Sequence, residues 1–372
     1  MDPSHGIAIV MVAACVAAVT TPVVIRLARR IGAVDRPNER KVSRRAGMPL
    51  LGGLAVAIGC SAGLVAVFAG PAPIAMSSQI GAFGVGALLL ICVGMWDDRF
   101  DLSATSKFVV QIVAAAIAIH AGFSVDLFSH PLTGKTDEVP TWIIWPVSLV
   151  WIVGVTNAMN LIDGLDGLSA GIGAIIAATL VVICWQAEQW VGVVIGLALF
   201  GALAGYLPFN FPPARIFLGD TGSLFIGYAL ALVALEGYRK TAFLAFIVPI
   251  LALAIPILDT LLSILRRLRS GRGVFSPDQL HMHHRLLHRE GSHRSAVLML
   301  YFLTTCFCMI AVSFSRLDGW LAFVYLAAVV AVTVRLLRNL DAFSLDLGSE
   351  DRENTGEREL ERRGAAEGDG AG

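Results

Sequence analysis

Charge is the scarcest thing in this sequence. Of its 372 residues, 15% are Asp, Glu, Lys or Arg, against 56% hydrophobic, and the mean hydropathy is +0.74. Soluble domains carry about 25% charge, so an ordinary globular protein is excluded. There is no basic surplus either, with 28 cations against 28 anions, and nucleic acid is not an expected partner. The six cysteines (Cys15, Cys60, Cys92, Cys184, Cys306, Cys308) lie in apolar runs without metal-ligand or paired spacing. They read as small core residues and say nothing of redox compartment. No clear small-residue cleavage site follows the first apolar segment, which is therefore read as a retained helix. Large apolar residues are nearly missing from about residue 344 onward, so residues 344–372 are expected to be a disordered tail on a transmembrane domain of residues 1–343. No internal repeat is present.

What is present is apolar length. Runs of about 18 to 24 residues, each enough to cross a hydrocarbon core of about 30 Å, recur along the chain. Eleven candidate spans are predicted, near 6–28, 50–69, 79–96, 106–123, 141–159, 168–185, 190–208, 222–236, 242–264, 296–313 and 319–336. The expected fold class is all-α, a polytopic integral membrane protein of about eleven helices. With the N-terminus outside, only Lys135, Arg239, Lys240 and Arg316 of the 28 Lys and Arg fall outside, and the other 24 lie on the inner side. That distribution is what the positive-inside rule requires. It predicts a multi-pass membrane protein with its N-terminus outside and its active site and C-terminus cytoplasmic.

The same topology puts every chemically suggestive stretch on that inner face. Central among them is NAMNLIDGLDGLSAG, residues 157–171, with Asn157, Asn160, Asp163 and Asp166 at three-residue spacing. An aspartate at the centre of a membrane helix costs about 2.5–3.5 kcal/mol on insertion scales, so this stretch is expected at a helix end at the membrane surface. Upstream, WDDRFDLSATSK places Asp97 beside Asp98, with Lys107 on the next helix; adjacent carboxylates repel and need a metal, a cation or a shared proton, the alternative being that Asp98 only terminates the third span. The stretch FNFPPARIFLGDTG supplies Asn210, Phe217 and Asp220, an amide, an aromatic face and a carboxylate, though Asp220 is also placed to be an N-cap. Asp259 sits inside the ninth apolar run.

Two basic loops complete the set. Residues 29–49 carry Arg36, Arg40, Lys41, Arg44 and Arg45 ahead of Gly52 and Gly53. The positive-inside signal or anionic headgroups account for most of them, and one or two are candidates to reach a phosphate. Residues 265–295 hold five of the eight histidines, including His281, His283 and His284 followed by Arg285. Interspersed arginines oppose zinc and suit phosphate.

Hard-oxygen carboxylates with an asparagine and no thiolate favour Mg²⁺, with Mn²⁺ as second candidate. Carboxylates, a divalent cation and nearby cationic side chains are the parts of phosphoryl transfer. At a membrane surface, one substrate can be a lipid phosphate and the other a soluble nucleotide.

Five motifs in order, PLLGG, DDRFDLSATSK, NAMNLIDGLDGLSAG, IFLGDTGS and SPDQLHMHHRL, span about residues 35 to 290. In them the chain resembles the polyprenyl-phosphate N-acetylhexosamine-1-phosphate transferases, glycosyltransferase family 4. The resemblance implies that the phosphate of undecaprenyl phosphate attacks the β-phosphorus of a UDP-amino sugar and releases UMP. By motif it implies that Asp220 and Asn160 hold Mg²⁺, and that Asp97 acts on the lipid phosphate with Asp98 and Lys107 beside it. Asp163 and Asp166 complete the centre. Asp166 and Asn210 fall near the uridine, Phe217 against the base, and His281, His283 and His284 face the phosphates or the sugar. The HxHH pattern resembles the branch that transfers GlcNAc-1-phosphate to undecaprenyl phosphate and initiates teichoic acid, O-antigen or related glycans. Met282 interrupts the run of three histidines expected of phospho-MurNAc-pentapeptide transferases, which stay an alternative beside other UDP-amino sugars. A homodimer is compatible with all of this. Outside enzymes, the competing classes are a transporter or flippase of an anionic substrate, and a scaffold for other glycan enzymes. The first places polar groups at the bilayer midplane rather than at one face, and the second has no use for Asp97, Asp98 and Asp220.

Overall fold

A computed structural model of the chain describes residues 3–35, 47–67, 78–124, 127–129, 136–138, 140–238, 247–269, 286, 292–315 and 320–339. Among the described residues the regular elements are helices apart from one short hairpin. The helices are α1 (Pro3–Ile31), α2 (Gly52–Val67), α3 (Ser78–Phe100), α4 (Ala104–His120), α5 (Thr141–Ile162), α6 (Leu168–Gln186), α7 (Trp190–Asn210), α8 (Gly219–Tyr238), α9 (Ile247–Ala252), α10 (Ala254–Arg269), α11 (His293–Phe314) and α12 (Trp320–Asn339). Between α4 and α5, β1 (Leu127–Ser129) pairs antiparallel with β2 (Thr136–Glu138), Phe128 opposite Asp137.

Six of these helices, α1, α3, α5, α6, α7 and α11, are long and apolar enough to cross a bilayer. Helices satisfy their own backbone groups, which is why apolar runs of this length adopt them in lipid. Their outward faces stay apolar: Val19 on α1 is 72% exposed and Val150 on α5 is 71%. Such contiguous apolar exposure is a surface made for acyl chains rather than water.

Within the ninth candidate span, 242–264, the described part is interrupted at Leu253 between α9 and α10, although Leu253 N–H still donates to Pro249 O at 3.0 Å and Ile257 N–H to Leu253 O at 3.1 Å. Pro256 is the cause within reach. Without an N–H it cannot bond the Ala252 carbonyl four residues back, and its ring crowds that carbonyl.

The core is organised around α8. Every residue of it from Thr221 to Gly237 is buried, and it packs against α2, α3, α5, α6, α7 and α9. Small residues let these helices close on it, as is general for helix pairs in membranes. The closest approach is between α2 and α8, where a Cβ built on Gly53 would lie 2.1 Å from both the Cα and the N of Gly222.

Candidate active site

The site forms where the first turn of α8 meets the ends of α3, α4 and α5. Helix α3 runs out at Phe100, Asp101 takes a left-handed φ of 52°, and Ser103 caps α4 by accepting from the Ser106 N–H at 3.2 Å. This tight reversal returns Lys107 past the end of α3. Its Nζ donates to Asp97 Oδ2 at 3.0 Å and to Asp220 Oδ2 at 2.6 Å, so one ammonium bridges carboxylates from two other helices. Asp97 is steadied further because its Oδ1 accepts from the Leu102 N–H at 2.7 Å.

Asp98 does something different from its neighbour. Its Oδ1 accepts from the Asp220 N–H at 2.8 Å, and its Oδ2 accepts from the Thr221 N–H at 3.2 Å and the Thr221 hydroxyl at 2.6 Å. An α3 carboxylate thus caps α8, where orphan N–H groups and the positive end of the helix dipole favour an anion. The cap that the sequence allows Asp220 to make is made by Asp98, which leaves the Asp220 side chain for Lys107. Gly219, at φ +73°, makes room: a Cβ there would lie 2.5 Å from Asp98 Oδ2. Asp98→Ala should therefore cost about 1–2 kcal/mol of stability, the usual loss of a cap, visible as a lower denaturation midpoint in detergent. An unchanged midpoint would mean the cap is not holding α8.

The next residue along α3, Arg99, donates from Nε to the Ile31 carbonyl at 2.7 Å, at the end of α1. Three consecutive side chains therefore tie the end of α3 to α4, α8 and α1.

The PLLGG stretch is bonded into the same corner. Phe217 N–H donates to Pro49 O at 2.9 Å, Gly52 N–H to Phe217 O at 3.0 Å and Gly53 N–H to Leu218 O at 2.9 Å. The two motifs pair through backbone, so the glycines serve close approach. Before them, Asp35 and Gly47 are pinned together, with Asp35 N–H on Met48 O at 2.8 Å and Gly47 N–H on Asp35 O at 3.1 Å. Arg44 and Arg45, carried between those two anchors, lie outside the described residues, as do His281, His283 and His284.

On α5, Asn160 Nδ2 donates to Ser223 Oγ at 2.8 Å, and Ser223 Oγ donates to Gly219 O at 3.1 Å. Helix α5 ends at Ile162, and Asp163, Gly164, Leu165 and Asp166 turn before Gly167, at φ +75°, opens α6. Asp166 Oδ2 accepts from the Ala214 N–H at 2.9 Å, which fastens this turn to the 211–216 loop. Tyr301 of α11 holds it from the other side, its hydroxyl donating to Gly167 O at 2.5 Å. The Asp98, Asp163 and Asp166 carboxylates all lie within electrostatic range of the buried Tyr206.

Asn210, the last residue of α7, and Phe217 flank the 211–216 loop. Asn210 is 3% exposed and its Nδ2 donates to Ile216 O at 2.9 Å, so its amide shapes the loop from inside. Phe217 is half-buried, three residues before Asp220 in the chain. Asp259 is buried on α10, with Ser263 and Arg266 buried on the same helical face. The structure thus gathers Asp97, Asp98, Lys107, Asn160 and Asp220 at one point, with Asp163 and Asp166 on the adjoining turn. Sequence reasoning gave no role to Thr221, next to Asp220, and passed over Ser223 and Gln111, whose signal was a polar residue three or four positions from a charged one on a helix.

Among the described residues no three His, Cys, Asp or Glu side chains converge as a closed metal cage. Mg²⁺ does not need one, since it binds through one or two carboxylates with the rest from water and substrate phosphates. The donor set at the start of α8, two carboxylates and an amide around a single ammonium, fits that mode.

Residues 80–238 match the family model described as glycosyl transferase family 4. A probable undecaprenyl-phosphate N-acetylglucosaminyl 1-phosphate transferase of Bacillus subtilis is 39% identical over 305 residues, covering 82% of this chain and 83% of the relative. A decaprenyl-phosphate N-acetylglucosaminephosphotransferase of Mycolicibacterium smegmatis is 36% identical, covering 84% and 83%. An undecaprenyl-phosphate alpha-N-acetylglucosaminyl 1-phosphate transferase of Yersinia pestis is 31% identical, covering 78% and 80%.

Proposed function

The chain belongs to glycosyl transferase family 4, and on that premise we propose that it transfers GlcNAc-1-phosphate from UDP-GlcNAc to undecaprenyl phosphate, releasing UMP. One observation carries the chemical reading: Lys107 bridges Asp97 and Asp220 at the junction of three helices. Two carboxylates balanced by one ammonium leave a negative excess. A diphosphate enters such a place only with added positive charge, and that is the condition under which phosphoryl transfer sites work.

In this reading the lipid phosphate oxygen attacks the β-phosphorus of UDP-GlcNAc, the bond from that phosphorus to the bridging oxygen breaks, and UMP leaves. Asp97 orients the lipid phosphate or takes its proton. Lys107 holds Asp97 and Asp220 in register and presents a point charge to the phosphates. Mg²⁺, held by Asp220 and Asn160 together with substrate oxygens, would neutralise the diphosphate. Asp163 lies on the turn next to this point, while Asp166 and Asn210 set the shape of the 211–216 loop against which the uridine would sit, with Phe217 offering a ring. His281, His283, His284, Arg44 and Arg45 are assigned to the phosphates and sugar by motif. The distribution of Lys and Arg supports eleven crossings of a bacterial plasma membrane, the N-terminus outside and the site and C-terminus cytoplasmic.

The deciding assay is UMP release by purified protein in detergent with Mg²⁺ and undecaprenyl phosphate, offering UDP-GlcNAc, UDP-GalNAc and UDP-MurNAc-pentapeptide separately. Release with UDP-GlcNAc that requires the lipid is the expected result. Release confined to the pentapeptide donor would move the protein to the peptidoglycan branch.

A further inference from the structure

Gln111 and Asn157 form a reciprocal amide pair that the proposed chemistry does not use. Asn157 Nδ2 donates to Gln111 Oε1 at 2.5 Å, and Gln111 Nε2 faces Asn157 Oδ1 at 3.4 Å; Asn157 Nδ2 also donates to its own helix at Val153 O, 2.9 Å away. Gln111 is 3% exposed and is the one polar residue of α4 between Lys107 and His120. An amide buried in that setting is retained only with a partner, and here the partner comes from another helix.

Its place in the fold gives the pair a use. Gln111 lies four residues after Lys107 on α4, and Asn157 three before Asn160 on α5, so each shares a helical face with a site residue. Lys107 reaches Asp220 and Asn160 reaches Ser223, both in the first two turns of α8. The side chains thus close a ring: Lys107 to Asp220 across to α8, Ser223 to Asn160 across to α5, and Asn157 to Gln111 back to α4. Two sides of that ring are the candidate active site. The third side is the amide pair, which sets how far along α5 the helix carrying Lys107 can sit.

We propose that Gln111 is a positioning residue for the transfer reaction, acting through Asn157 to hold Lys107 in register with Asp97 and Asp220. This rests on the transferase reading above. Gln111 is too enclosed to touch substrate, so its effect on turnover has to pass through α4. A displacement of a catalytic group by about 1 Å costs on the order of a hundredfold in rate, whereas binding of a soluble donor held mainly by the 163–166 turn and the 211–216 loop need not change.

The experiment compares wild type, Gln111→Met, and the swapped pair Gln111→Asn with Asn157→Gln, measuring kcat and KM for UDP-GlcNAc together with the melting midpoint in detergent. The proposal expects Gln111→Met to lower kcat about ten- to hundredfold with KM within about twofold of wild type, and the swap to recover most of kcat. If kcat falls only in proportion to lost folded protein, or KM rises while kcat holds, Gln111 is not positioning Lys107. A wild-type protein with no turnover would instead count against the transferase reading. Full turnover in wild type and in Gln111→Met would overturn the positioning role alone.

Discussion

Asp220→Asn and Lys107→Met are each expected to lower UMP release by at least about a hundredfold to a thousandfold while leaving the protein folded. The two halves of that statement have separate physical causes. Turnover falls because the Lys107 to Asp220 contact at 2.6 Å links α4 to α8, and the two changes remove, in turn, the carboxylate proposed to hold Mg²⁺ and the ammonium presented to the phosphates. The fold survives because α8 does not depend on Asp220 for its cap: Asp98 makes all three bonds there. A membrane preparation that loses activity and keeps its melting midpoint would bear this out. Asp98→Ala should show the reverse order of effects, with the midpoint falling first. If Asp220→Asn proved as unstable as Asp98→Ala, the division between the capping and the charge-bearing aspartate would be wrong.

Gly53→Ala is expected to be the most damaging single methyl in the described residues of α2. The added Cβ would stand 2.1 Å from the Gly222 Cα and N and 2.5 Å from the Thr221 carbonyl carbon, all of them backbone. No rotamer can yield. Relief requires α2 to move away from α8, and that breaks the bonds from Gly52 and Gly53 to Phe217 and Leu218. Overpacking alone costs about 1–3 kcal/mol, and loss of two backbone bonds adds to it. The control is Gly81→Ala or Gly84→Ala on α3, where a Cβ meets nothing within 4 Å. Those should be neutral or raise stability by about 0.5–1 kcal/mol, since alanine is the better helix former. Folded yield after detergent extraction, compared across the three variants, measures the difference.

Much of this site could be read from the chain before any coordinates. The charge asymmetry placed WDDR, NAMNLIDGLDG and IFLGDTGS on one face, and the structure does bring Asp97, Lys107, Asn160 and Asp220 within bonding reach of one another or of shared partners. What could not be read is who bonds whom. Asp98 and Thr221 are 123 residues apart, and no spacing rule links a helix end to the cap of another helix. Asn210 reads as a ligand by residue type, yet its amide is taken by a carbonyl six residues on. PLLGG reads as a loop end because its glycines signal permissiveness without naming the backbone they approach. The interruption in the ninth run had its cause in plain view at Pro256, but hydropathy weighs length and composition and is blind to a missing N–H. Gln111 was overlooked because one polar residue does not disturb an apolar run.

The enclosure of α8 carries a consequence for how the protein is made. Synthesis runs from the N-terminus, so α2, α3, α5, α6 and α7 have all emerged from the ribosome before α8 does, and of its packing partners only α9 follows. Buried polar groups such as Thr221, Ser223 and Glu236 need never meet bare acyl chains, because the walls that receive them come first. A nascent chain whose residues up to 218 have left the ribosome should form an assembled but hollow sleeve, and the carboxylate cluster would appear in a single later event, when one helix slides home.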